Sequence, residues 1–78
     1  MLRHGVMWKF REGTEPEMRR FLTVAENTGK KENFDAVLLA TFQGQKELEA
    51  YRSDPRHLAV SALCKAIRTE RRVVDYEF

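Results

Sequence analysis

The stretch YRSDPRHLAV, residues 51–60, places Tyr51 six residues ahead of His57. A histidine has an unperturbed pKa near neutrality, so it can take and return a proton at working pH. On that reading His57 is a catalytic base and Tyr51 its partner. The same residues also read as a plain helix start. Asp54 suits an N-cap and Pro55 the first helical position, which puts His57 in the first turn. Its imidazole is then within reach of a backbone group or of the Asp54 side chain. Both readings stand on these residues alone.

The only other histidine, His4, shares an alternating apolar face with Val6, Trp8 and Phe10, where a hydrogen-bonded core role is the ordinary one. Tyr51 is expected to pack between helix and sheet with its hydroxyl reaching a partner. Cys64 has apolar helical neighbours and reads as a buried, inert thiol. Two histidines and scattered carboxylates form no metal-ligand spacing. Gly13, Gly29 and Gly44 are isolated turn residues and make no phosphate loop. No metal and no cofactor is expected.

The elements that must position these residues follow from periodicity. Residues 2–10 alternate, with Leu2, His4, Val6, Trp8 and Phe10 on one face, and read as a strand. Residues 34–42, FDAVLLATF, put Phe34, Ala36, Leu38, Ala40 and Phe42 on one face and Val37, Leu39 and Thr41 on the other. A strand apolar on both sides belongs in the middle of a sheet. QGQKELEAYRS reads as a short helix. PRHLAVSALCKAIRTE follows as a second, with a stripe of Leu58, Ala59, Ala62, Leu63, Ala66 and Ile67. RRVVDYEF closes as a strand with Val74, Tyr76 and Phe78 on one face. Residues 14–33 admit two readings. Thr14 and Glu17 could form a capping box and start a helix, whereas FLTVA is β-branched and aromatic and favours a strand. The strand reading over 21–27 is preferred.

The chain has 78 residues and a net charge of +2, with 14 basic and 12 acidic residues mixed along it. This is one domain, residues 1–78, and a domain so small buries only roughly 60–65% of its unfolded surface. One cysteine allows no internal disulfide, so a second subunit is the expected source of extra stability. Helices can cover one face of the sheet. The other would be exposed and apolar, which predicts an α+β domain that forms a homodimer sheet to sheet. Basic residues occur in pairs rather than runs, with no aromatic interleaving, so no nucleic-acid partner is expected. No apolar run has the length of a membrane span and no signal peptide is visible. The expectation is a cytoplasmic protein with no membrane partner.

Three segments together resemble the stress-responsive dimeric A/B barrel family: RHGVMWKFREGT, NFDAVLLATFQGQKELEAYRSDPRHLAV and RRVVDYEF. The resemblance implies a ferredoxin-like sheet with helices on one face, paired into a dimeric α/β barrel. It also aligns FLTVAEN with the family's second strand, which leaves only residues 11–20 to replace a long first helix. Cyclase-type members resemble this chain at His4, Tyr51 and His57. There a histidine acts as general base and a tyrosine positions or polarises a carbonyl. Asp75 and Tyr76 also resemble family positions, whereas Ala36 stands where cyclases carry a further histidine. The function this implies is binding of a small apolar or carbonyl-containing molecule near His4, Tyr51 and His57. Two alternatives stand beside it: a lyase or cyclase using His/Tyr acid–base chemistry, and a non-catalytic, stress-related assembly protein.

Overall fold

The structure is a computed structural model that describes residues 1–22 and 24–78, with Phe21 described in its backbone alone. The alternating N-terminal residues form strand β1, Leu2–Phe10, with Leu2, His4, Val6 and Trp8 buried and Met7 exposed. Gly13, at φ 87°, takes the left-handed turn that a side chain would resist.

Helix α1, Glu15–Phe21, follows. It forms in the stretch 11–20, which was expected to join the first two strands without a helix, and takes only Phe21 from the strand expected over 21–27. Pro16 fits the first turn, Glu15 and Glu17 sit at the positive end of the helix dipole, and Arg19 and Arg20 sit at the negative end. Met18 adds buried contact with the core. The β-branched residues of the stretch, Thr23 and Val24, come after the end of this helix in the sequence. The capping box does not form, because the Thr14 hydroxyl donates to the Arg11 carbonyl at 2.6 Å instead. A strand does follow, but β2 spans only Ala25–Glu26. Thr23, within the segment expected to be strand, lies outside the described residues.

The remaining elements are β3 (Ala36–Phe42), α2 (Gln45–Ser53), α3 (Pro55–Ile67) and β4 (Arg68–Glu77). The sheet order is β2-β3-β1-β4, with every neighbouring pair antiparallel. This βαββααβ order, with α2 and α3 together in the place of the second crossover helix, is the expected ferredoxin-like arrangement. Residues paired across an antiparallel ladder share a face. Val6 therefore lies with Leu38 and Val73 on the helix side, and Gly5 with Leu39 and Val74 on the open side. The core gathers Val6, Trp8 and Ala36 from the sheet against Met18 of α1 and Cys64 and Ile67 of α3. Leu48 of α2 is fully buried as well.

Helix α3 starts as expected, with the Asp54 carboxylate accepting from the Arg56 N–H at 2.8 Å. Its rotation is not the expected one. Leu58 and Leu63 are 54% and 43% exposed, and the inward line runs through His57, Ser61, Cys64 and Ile67. The helix is held at both ends, by the Asp54 cap and by direct passage into β4 at Arg68. That fixes which side meets the sheet, and only Ile67 of the deduced stripe becomes buried. Among the described residues no helix is long and apolar enough to cross a membrane.

Candidate functional site

His4 stands at the middle of β1 on the helix side and is 3% exposed. The β1–β4 register sets Asp75 directly opposite, so both side chains project from the same face. The His4 Nδ1 and Asp75 Oδ1 atoms lie 2.5 Å apart. The other carboxylate oxygen accepts from the Arg52 guanidinium at 3.1 Å, and Arg52 also bonds Glu49 at 3.0 Å. The bond from His4, with its nearby charge and that of Arg52, holds the Asp75 carboxyl below its usual value. An ionised carboxylate can only accept, so Nδ1 carries the hydrogen. In the neutral ring the lone pair is then on Nε2. That atom has no partner among the described residues, yet no described side-chain nitrogen or oxygen is both sealed and unpartnered. Nε2 therefore opens to space inside the fold.

The space is a cavity of about 520 Å³ between sheet and helices, lined by His4, Tyr51 and His57 together. Its apolar wall includes Val6, Trp8, Leu22, Leu38 and Val60. The rotation of α3 explains why the space is unfilled. The helix turns Ser61, Cys64 and Val60 toward it and leaves its leucines outside. Tyr51 packs on Phe42 with ring centroids 5.2 Å apart and on His57 at 4.2 Å. Its hydroxyl finds no partner among the described residues, contrary to the expectation that it would reach one.

The His57 imidazole likewise makes no hydrogen bond among the described residues, in place of the expected bond to backbone or Asp54. The Asp54 carboxylate is engaged by Arg56, through its backbone N–H and both 3.3 Å guanidinium contacts. Partial burial, then the neighbouring His4 and Arg71, hold the His57 pKa below its ordinary 6.5, and Asp54 opposes them weakly. His57 is thus neutral near neutral pH and able to accept a proton. Burial pushes the Cys64 thiol up, which keeps it protonated and unreactive. Among the described residues no three metal-binding side chains gather.

Periodicity and spacing missed three residues. Asp75 orients His4, and Arg68 and Arg71 line the cavity. The signal for Asp75 was its alternation with Val74 and Tyr76, which puts one carboxylate on the helix side of the last strand. Pairing it with His4 required the strand order.

The Stress responsive A/B Barrel Domain family matches residues 16–78. No curated protein matches the chain. Among solved structures, a dimeric protein of unknown function with a ferredoxin-like fold from Bacteroides fragilis superposes with a TM-score of 0.87 at 21% identity, over 99% of this chain and 95% of that one. A dimeric ferredoxin-like protein of unknown function from Thermobifida fusca gives 0.88 at 17% identity, over 99% and 90%. A Dabb family protein from Mesorhizobium loti gives 0.79 at 18% identity, over 99% and 95%. At these identities the superpositions establish the fold, and the match over residues 16–78 establishes the family: the chain belongs to the stress-responsive A/B barrel family.

Proposed function

We propose that this small stress-responsive A/B barrel protein is a homodimer that binds a small, largely apolar or carbonyl-containing molecule between its sheet and helices. The observation that carries the reading is the cavity of about 520 Å³, in which two histidines and a tyrosine meet an apolar wall. Pockets that bind small molecules have this make-up, mostly apolar with a few convergent polar groups. The homodimer is supported by the open sheet face, where Leu39, Val74, Tyr76 and Phe78 are exposed side by side, and by the dimeric relatives.

A second reading, acid–base catalysis by a lyase or cyclase, is favoured by the His4–Asp75 pair. His4 Nε2 would accept a proton from a carbon beside a carbonyl, Asp75 would stabilise the resulting imidazolium, and Tyr51 would donate to the carbonyl oxygen. Ala36, where cyclases carry another histidine, leaves this chain with fewer groups for that chemistry.

Calorimetric titration with a panel of small ketones and aromatic aldehydes tests the binding reading. Members of the panel should bind the natural chain and lose affinity for Val60→Trp, which fills the cavity from its half-open wall. Chromatography of the same mixtures decides between binding and turnover. A panel with no binder removes the carbonyl class of ligand, and the assembly role takes its place if apolar probes without a carbonyl fail to bind as well.

A further inference from the structure

Two of the arginines lining the cavity have no partner: neither Arg68 nor Arg71 donates a guanidinium hydrogen bond or forms an ion pair among the described residues. The register sets Arg71 opposite Trp8 and Arg68 opposite Phe10, two rings that stack with centroids 6.4 Å apart. Both arginines therefore leave β4 on the helix side. The other cations nearby are engaged, Arg56 with Asp54 and Arg52 with Glu49 and Asp75. Glu70, between the two arginines in sequence, pairs with Arg72 at 2.7 Å. Partial burial, then the neighbouring Arg68 charge, push the Arg71 guanidinium below its ordinary value. Like charges beside an apolar cavity are unfavourable until an anion joins them. A guanidinium's planar fork matches an oxyanion, and two forks set side by side match it better than one.

We infer that the molecule bound in this cavity carries an oxyanion group, a carboxylate or a phosphate, held by Arg68 and Arg71 at the β4 edge while its apolar body lies against Val6, Trp8 and Leu38. The inference rests on the cavity being a binding site and adds the charge of what it binds. The anion would sit beside His57, whose proton affinity the Arg71 charge lowers.

Calorimetry with octanoate, octyl phosphate and octanol tests this on the natural chain and on Arg68→Gln/Arg71→Gln. One of the anions should bind at least about tenfold more tightly than octanol, the worth of one charge-assisted bond. The double variant should erase that margin and leave octanol unchanged. The tighter anion identifies the headgroup. NMR of the natural chain gives a measure that needs no variant, since saturating anion should raise the His57 pKa and octanol should not. Equal binding of all three probes overturns the inference, as does a margin that survives in the double variant. If none of the three binds a chain that binds the carbonyl panel, the inference falls alone. If nothing at all binds, the cavity reading falls with it.

Discussion

The two faces of the sheet are apolar to a similar degree, but they meet different fates. On the helix side Val6, Trp8 and Ala36 are buried by α1 and α3. On the open side Leu39 and Val74 remain 63% and 59% exposed. They close over Gly5, where an added Cβ would lie 3.2 Å from Leu39 Cδ2 and 3.4 Å from Val74 Cγ1. The glycine lets the two side chains meet at the centre of the face and form one continuous patch. The covered face is incompletely filled and holds a cavity, whereas the open face is continuous and has no cover. Apolar content alone separates neither outcome. What separates them is that the helices pack on one face, and that α3 turns His57, Ser61 and Cys64 toward it rather than its leucines.

Charge placed on each face should therefore act differently. Val6→Asp puts a carboxylate in the core cluster, at a cost of several kcal/mol, of the same order as the whole stability of a small domain. Its thermal melt should lose cooperativity. Leu39→Asp adds an exposed charge to the protomer and should cost the fold less than about 1 kcal/mol. Sedimentation equilibrium should nevertheless show the natural chain as a dimer and this variant as a monomer. A dimer that survives Leu39→Asp rules out sheet-to-sheet pairing, and a Val6→Asp variant that melts like the natural chain rules out the described core.

Asp75→Asn probes the covered face at its polar centre. It removes a charge-assisted bond to a buried histidine, and with the carboxylate partly open to water the expected loss is about 1 kcal/mol. The Asp75 carboxyl is depressed from 3.8, so its contribution is present above that pH and disappears as pH falls through the lower, folded value. Urea melts along an acid series should show the natural chain losing this contribution and Asp75→Asn lacking it. If the two curves run parallel, the His4–Asp75 bond does not stabilise the fold.

The sheet was legible in the sequence because period-two patterning is strict in LRHGVMWKF and FDAVLLATF, and Asp54-Pro55 marked the start of α3. Residues 14–27 were not resolved by local pattern. Pro16 and the flanking charges favoured a helix and FLTVA favoured a strand, and the two form in succession, α1 ending at Phe21 and β2 occupying Ala25–Glu26. The inward side of α3 was misread because its most apolar stripe is not its buried one. The contacts fixing its rotation lie at its ends, where periodicity carries no information. Of the site, His4, Tyr51 and His57 were legible as residue types and through the family resemblance. Asp75, noted from the sequence only as a position resembling the family, joined them with Arg68 and Arg71 through strand register.

The smallest expected effect belongs to His57, which stands at the cavity where the covered face is least filled. Its pKa is held below 6.5 by partial burial, then by His4, Arg71 and Arg52. The folded chain therefore binds fewer protons at this site than the unfolded chain does. Stability from the neutral ring is complete above 6.5 and declines as pH falls toward the lower folded value, with a slope no steeper than the uptake of a single proton. His57→Gln removes that proton from both states. Subtracting its stability curve from that of the natural chain cancels contributions common to both, including those of the carboxylates. The difference should be level well above 6.5 and fall as the pH is lowered below it. A difference that rises toward acid would mean His57 is charged in the folded chain, with a carboxylate partner that the geometry around Tyr51 and Asp54 does not provide.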